Sequence, residues 1–329
     1  MLSKKKLNEL KKKFSGQKIA VVGDMMLDSY FRGDVKRVSP EAPVPVVEVE
    51  NEFFRFGGAA NVALNILKLG GIPVPAGVIG NDNDGKIFTS LLEEANMLSE
   101  GIIVDSSRPT TAKTRVIAGN QHVVRIDKES KKNISEKTEK KLLDYLTSNI
   151  SSLDGIILED YNKGVLTKSF IKNIISLANK KGVFITVDPK FNNFFEYKNV
   201  NVFKPNKKEA EDILGIKMRS SEDISKAGKT ILERLNAENV LLTLGSEGIA
   251  VFEKNKTEKR LATQARKVAD VSGAGDTVIS TLTMALAAEC DIMDASYLAN
   301  YAAGIVCGEV GIVPIEIEKL IEAVGKENQ

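Results

Sequence analysis

The chain of 329 residues is 43% hydrophobic and 27% charged, which is enough to bury a sizeable core and excludes a disordered, collagenous or membrane-spanning chain. Its 46 Lys and Arg against 44 Asp and Glu leave a formal charge of +2, so no bulk charge points to a nucleic-acid or membrane surface. One histidine, His122, and two cysteines, Cys290 and Cys307, exclude a multi-histidine metal centre, a zinc site and a disulfide framework; the cysteines are expected as small buried groups in C-terminal helices.

At the N-terminus, MLSKKKLNELKKKF places Leu2, Leu7, Leu10 and Phe14 on one face of a basic helix, expected to pack on the domain surface rather than on an anionic membrane. No apolar h-region precedes a cleavage site and no apolar run approaches ~18 residues, so a cytoplasmic protein without membrane insertion is expected. Further on, KIAVVG (18–23), PVPAGVIG (73–80), GIILE (155–159), GVFITVD (182–188) and NVLLTLG (239–245) are rich in Val, Ile and Leu without alternating in polarity, the pattern of buried parallel strands. Amphipathic stretches at 59–69, 84–96, 135–149, 167–181 and 221–236 alternate with them. The alternation predicts an α/β fold, a doubly wound, mostly parallel sheet flanked by helices. Two segments depart from it. Residues 29–50, with VPVVEVE after SPEAP, and residues 111–127, a hairpin turning near Gly119-Asn120, read as antiparallel strands with one exposed face. Together they predict a small, discontinuous β-sheet lid within a single domain of residues 1–329.

Three glycine-rich loops compete as phosphate sites. Residues 80–87 match GxxxxGK but end in Ile87, where a P-loop needs a hydroxyl for magnesium, and Asp82 and Asp84 would repel phosphate; the segment reads as a strand-to-helix turn. Gly57-Gly58-Ala59-Ala60-Asn61 opens a helix whose N-terminus suits hydroxyl oxygens or an anion, and Asn61 offers a donor and an acceptor to a polyol; small residues there also serve close helix-to-sheet packing. In Asp270-Val-Ser-Gly273-Ala274-Gly275-Asp276 the backbone N–H groups converge at a helix start as an anion hole. A carboxylate beside a phosphoryl group makes sense if Asp276 takes the proton of an attacking hydroxyl; its alternative role is a helix cap.

Gly57 to Gly71 and Asp270 to Asp276 resemble the two signatures of the ribokinase, or phosphofructokinase-B, superfamily of sugar kinases, and the likeness runs from Val21-Val-Gly-Asp24 to the last helices. It implies a ribokinase-like fold, Asp276 as catalytic base, Gly273, Ala274 and Gly275 as anion hole, and ATP with Mg²⁺ as cofactors. GDMMLDSYFRG (23–33), RVSPEAPVPVVEV (37–49), TTAKTRVIAGNQHVVRID (110–127), EDYNKGVL (159–166), VDPK (187–190) and KPNKKEAE (204–211) more narrowly resemble the heptose 7-phosphate kinases. Those enzymes phosphorylate O1 of D-glycero-β-D-manno-heptose 7-phosphate on the path to ADP-heptose and lipopolysaccharide core. Many are fused to a nucleotidyltransferase, and this chain resembles the single-function form.

By that resemblance, Asn206 and Glu209 support magnesium through water, and the segment with Lys207 and Lys208 binds nucleotide. Asn206 and Glu209 also fit a helix capping box. Thr243, Gly245 and Gly248 are expected to approach the nucleotide. On the sugar side stand Asp28, Gly57, Gly58 and Asn61, with Asp160, Lys163 and Lys190 after the ends of strands, where ligands of open α/β sheets gather. Lys113, Arg115, Asn120 and Arg125 of the lid are candidates for the sugar's phosphate, although alternating Lys113 and Arg115 equally describe a solvated strand face. His122 reads as a lid or interface residue. An exposed lid edge suggests a homodimer, and a monovalent-cation requirement stays open.

Overall fold

The computed structural model describes residues 2–119, 121–265, 268–309 and 311–327. In chain order the helix α1 (Lys4–Phe14) precedes β1 (Lys18–Gly23), β2 (Met25–Val38), β3 (Pro45–Gly58), α2 (Ala59–Lys68), β4 (Ile72–Ile79), α3 (Asn83–Glu94) and β5 (Ile102–Val104). Then come β6 (Thr111–Ala118), β7 (Gln121–Lys128), α4 (Glu136–Asn149), β8 (Gly155–Glu159), α5 (Lys168–Lys181), β9 (Ile185–Asp188), β10 (Val202–Phe203) and α6 (Lys207–Leu214). The C-terminal part holds α7 (Ser221–Leu235), β11 (Asn239–Thr243), β12 (Ile249–Glu253), β13 (Lys259–Leu261), α8 (Ala274–Ala287), α9 (Ile292–Val306) and α10 (Ile317–Glu327).

Among the described residues the main sheet has nine strands in the order β13-β12-β11-β10-β9-β8-β1-β4-β5, parallel throughout except for β12 and β13. Its central strands are buried on both faces because they carry little but Val, Ile, Leu and Ala. One face packs on α1, α2, α3, α8, α9 and α10, the other on α4, α5 and α7, giving an apolar core on each side. The chain leaves β1 toward β4 on one side and later returns to β8 on the other. That reversal opens a crevice at the carboxyl ends of β1 and β8, the place where open α/β sheets take ligands.

The expected strands and helices are all present, with 182–188 shortened to Ile185–Asp188 and 239–245 to Asn239–Thr243. α1 buries Leu7, Leu10 and Phe14 against α8 and α10, which settles its role as a packed surface helix. Cys290 and Cys307 are buried and unpaired at the ends of α8 and α9. Asp82 caps α3 through Gly85 N–H at 3.0 Å and pairs with Lys128 at 2.8 Å, so the 80–87 turn is a strand-to-helix connection. Although partial burial opposes it, those bonds hold its carboxyl down at about 2.

The small sheet differs from expectation in two respects. Its four strands run β3-β2-β6-β7, and the central pair β2·β6 is parallel rather than antiparallel. Its first hairpin is also longer, because buried Met25, Met26 and Leu27 extend the pairing with β3 down to Gly57 and Gly58. One face of this sheet gathers charged and aromatic side chains in two cross-strand rows. Arg55, Asp28, Lys113 and Asp127 form one row, and Phe53, Tyr30, Arg115 and Arg125 the next.

Candidate active site

Strands whose apolar runs end in charged residues bring those charges to the crevice together. Asp24 follows β1, Glu159 ends β8 with Asp160 directly after it, Asp188 ends β9 and Lys204 follows β10. Above them stands the first turn of α8. Gly273, at φ +79, turns the chain into the helix in the left-handed region that a side chain would oppose. Among the described residues the N–H groups of Gly273, Gly275 and Asp276 have no acceptor, whereas Ala274 N–H is bonded to Val271 C=O at 3.2 Å. At the expected anion hole, 273–276, the N–H groups of Gly273, Gly275 and Asp276 are thus open to an acceptor, while that of Ala274 closes the turn.

Asp276 is buried, and its two oxygens each accept one strong hydrogen bond. Asn61 Nδ2 donates to Oδ2 at 2.7 Å and the Tyr161 hydroxyl to Oδ1 at 2.9 Å. Burial raises the carboxyl to about 6, with neighbouring Asp188 adding to it and the two donors holding it back. A carboxylate tuned to that range is ionised near neutral pH yet retains an affinity for a proton, as a general base requires. Asn61 thus orients the Asp276 carboxylate. Its helix starts at Gly58, φ +56, where a Cβ would come within 2.4 Å of Asp24 C=O.

Asp24 holds the other side. Its carboxylate accepts Tyr161 N–H at 2.8 Å, Lys163 N–H at 3.0 Å and Val165 N–H at 3.2 Å, folding the 160–166 loop back toward Asp276. Asp160 does not face the crevice: Tyr197 O–H and Asn162 N–H bind its oxygens at 2.7 and 2.8 Å, making it a brace of that loop.

On the small sheet, Asp28 is buried beside Gly57 and accepts Arg115 at 2.7 Å. Burial pushes the Asp28 carboxyl up, and Arg115 works against that. Arg125 binds Asp127, Lys113 reaches Asp127 at 3.1 Å and Glu129 at 3.5 Å, and Lys163 reaches Glu129 at 2.7 Å. The structure thus brings Asp28, Lys113, Arg115, Arg125 and Lys163 into one charged network; Asn120 lies outside the described residues. His122 is exposed on β7, away from these rows.

Toward the far end of the crevice, Asn206 and Glu209 form the reciprocal capping box of α6, at 2.8 and 2.9 Å. The remaining Glu209 oxygen takes Lys190 at 2.6 Å, and Lys190 lies over the Tyr161 ring. Lys190 is half-buried, which disfavours its charge, but Asp188 and Glu209 outweigh this and hold its ammonium above the usual range. It belongs with Glu209 rather than with the small sheet. Lys207 pairs with Glu247 in the turn holding Gly245 and Gly248, and Thr243 N–H bonds Pro205 C=O beside Asn206. Lys208 is not brought to the others; it pairs with Asp212 on the exposed face of α6.

Four groups escaped the sequence reading: Tyr161, Glu159, Asp188 and Lys204. Lys204 is 2% exposed and binds Asp188 at 2.7 Å, with its Nζ beside the first turn of α8, 3.7 Å from the Cβ position of Gly275. The signal available was the recurrence of a charge at each strand end in GD, ED, VD and FK.

A family model described as pfkB family carbohydrate kinase matches residues 16–318. The bifunctional protein HldE of Desulfatibacillum aliphaticivorans is 42% identical over 307 residues, covering 93% of this chain and 63% of that protein. The protein of the same name from Helicobacter pylori strain G27 is 42% identical over 304 residues, covering 92% of this chain and 65% of its own. The chain spans less than two thirds of the length of these relatives. Among solved structures, the tetrameric inhibited form of phosphofructokinase-2 from Escherichia coli superposes with a TM-score of 0.77 at 18% identity, covering 95% of this chain and 100% of that one. Ribokinase of Arabidopsis thaliana, complexed with ribose and ATP, gives 0.72 at 18% identity, covering 94% and 99%. These two likenesses bear on the fold alone.

Proposed function

Since the chain belongs to the pfkB family of carbohydrate kinases, we propose that it transfers the γ-phosphoryl group of ATP to O1 of D-glycero-β-D-manno-heptose 7-phosphate, within ADP-heptose and lipopolysaccharide core synthesis in the cytoplasm. The observation that carries the transfer is Asp276, buried and bonded by Asn61 and Tyr161, beside unpaired N–H groups of the α8 N-terminus. The sugar hydroxyl gives its proton to Asp276 as its oxygen attacks phosphorus, and the Gly273, Gly275 and Asp276 amides bind the phosphoryl oxygens. Magnesium, when bound with the nucleotide, supplies positive charge to those oxygens. Both Glu209 oxygens are already bonded, so Asn206 and Glu209 fit an outer role through water. Thr243, Gly245, Gly248 and Lys207 border the nucleotide end. A monovalent cation enters the reading only through likeness to phosphofructokinase-2 of Escherichia coli, which has been solved in complex with potassium.

The 7-phosphate assignment rests on Arg115 and Arg125, which face each other across β6 and β7 on the face that carries Asp28. Two guanidinium groups match a phosphate bidentately at the end of the sugar remote from O1. Exposed Val35, Val49, Val124 and Ile126 on the small sheet support a homodimer formed through it. A coupled ATP-consumption assay with heptose 7-phosphate, fructose, ribose and adenosine tests the reading. Turnover on heptose 7-phosphate should exceed the others, and light scattering should find twice the chain mass. Preference for an unphosphorylated sugar would sink the substrate, and a monomer at all concentrations the dimer.

Tyr161 is a positioning residue, since it acts through Asp276. Burial and the charge on Asp276 keep its phenol well above the usual range, so it stays a donor. In kcat/KM the wild type should lose activity as pH falls through about 6, where Asp276 takes up a proton. Tyr161→Phe removes a donor that stabilises the carboxylate. It should lower kcat/KM by about tenfold, the loss of one charge-assisted hydrogen bond, and shift the acid limb to higher pH. An unmoved limb would show that the hydroxyl does not tune the base.

A further inference from the structure

The two guanidinium groups on the small sheet are both engaged by carboxylates, and burial separates the two pairs. Arg115 binds Asp28, whose side chain is only 4% exposed beside Gly57, so parting them would strand a buried charge. Arg125 closes a two-pronged fork on Asp127, Nε to Oδ1 at 2.9 Å and Nη2 to Oδ2 at 3.0 Å, and Oδ2 also accepts Lys113 at 3.1 Å. Here the carboxylate is 28% exposed and the guanidinium 58%, so this pair opens to water at little cost. A planar anion held by a fork and an ammonium copies the way a phosphate is held. Although partial burial opposes it, Lys113 and Arg125 keep the Asp127 carboxyl below its usual range, so it is charged near neutral pH. Glu129, the next carboxylate along, has Lys163 at 2.7 Å as a cation of its own, whereas Asp127 is held only by Arg125 and Lys113.

We propose, resting on the heptose 7-phosphate reading, that Asp127 is an internal competitor: it holds the seat of the sugar's phosphate until the sugar binds, and retakes it as the product leaves. A phosphate monoester brings about two negative charges and three oxygens to cations that Asp127 satisfies with one charge and two oxygens, so the exchange runs toward phosphate. The chemistry at O1 leaves the far phosphate unchanged. Contacts to it therefore hold substrate and product alike, lowering KM without raising kcat and delaying release. A carboxylate two residues from Arg125 on the same strand weakens that hold without any movement of the sheet. Its charge also stays near the bound dianion and repels it. Asp28 takes no part in the exchange, because it is locked behind Arg115.

The test is calorimetric titration of the full chain, without nucleotide, with D-glycero-β-D-manno-heptose 7-phosphate and separately with the same heptose unphosphorylated. Asp127→Asn should bind the 7-phosphate about tenfold more tightly than the wild type, the effect of removing one charge beside a dianion, and the unphosphorylated heptose within about twofold. If the asparagine variant does not fold, Asp127→Ser should show the same tightening. Arg125→Gln should weaken the 7-phosphate at least about fivefold. An Asp127 variant that binds the 7-phosphate no more tightly, or that tightens both sugars alike, overturns the competitor while leaving the substrate reading in place. Arg125→Gln that binds as the wild type does overturns the phosphate seat, and a wild type that binds neither sugar ends the heptose reading and this proposal with it.

Discussion

Asp276→Asn should retain ATP binding while losing about 10²- to 10⁴-fold in turnover, the range in which a positioned general base contributes. The amide cannot accept the sugar's proton, but it keeps the shape of the carboxylate between Asn61 and Tyr161. The same change should leave the protein no less stable. An acid raised from 3.8 to about 6 by burial contributes stability fully present below 3.8 and lost as pH rises through about 6. At pH 7 the ionised wild type therefore carries a cost of up to about 3 kcal/mol, taking 1.36 kcal/mol per unit. An amide has no such cost, so the variant's melting temperature at pH 7 should equal or exceed the wild type's, and the gap should close toward pH 4. A coupled assay and a melt at both pH values check both halves. Turnover within tenfold of wild type would remove Asp276 as the base.

Asp24→Ala should damage stability and activity together. It strips the acceptor from the N–H groups of Tyr161, Lys163 and Val165, and donors left without a partner in the interior cost about 1 to 3 kcal/mol each. A loss of several kcal/mol is expected in urea unfolding. Because Tyr161 is anchored through its own N–H, its hydroxyl should leave Asp276, and the surviving folded fraction should show a reduced kcat. Asp24→Asn keeps one oxygen and should fall between. A wild-type unfolding midpoint for Asp24→Ala would mean that the 160–166 loop is held by something else.

The strand and helix pattern was legible because the buried parallel strands are short, apolar and separated by amphipathic runs. The glycine turn into α8 was legible too, since Gly273 to Asp276 are neighbours in sequence and a helix start needs no distant partner. What stayed hidden depends on register between remote segments. Nothing local in β2 or β6 says that they pair parallel, and Tyr161 acquires its place only because Asp24, 137 residues earlier, captures its N–H. Glu159 and Lys204 looked like the ordinary ends of strands, and only sheet order shows that they flank Asp188. In the opposite direction, Asp160 was read as a ligand from its place after a strand end and Lys208 from the resemblance of its segment, and each is engaged by another side chain.

β2 begins one residue after β1, and β3 runs into α2 with no residue between them. The small sheet is thus mounted without slack: one root is Asp24, which holds the Tyr161 loop, and the other is the helix whose Asn61 grips Asp276. A tilt of this sheet cannot be taken up by a linker and acts as a lever on both hands that hold the Asp276 carboxylate. Arg115 and Arg125, which face each other on this sheet, therefore have a mechanical route to the geometry of Asp276.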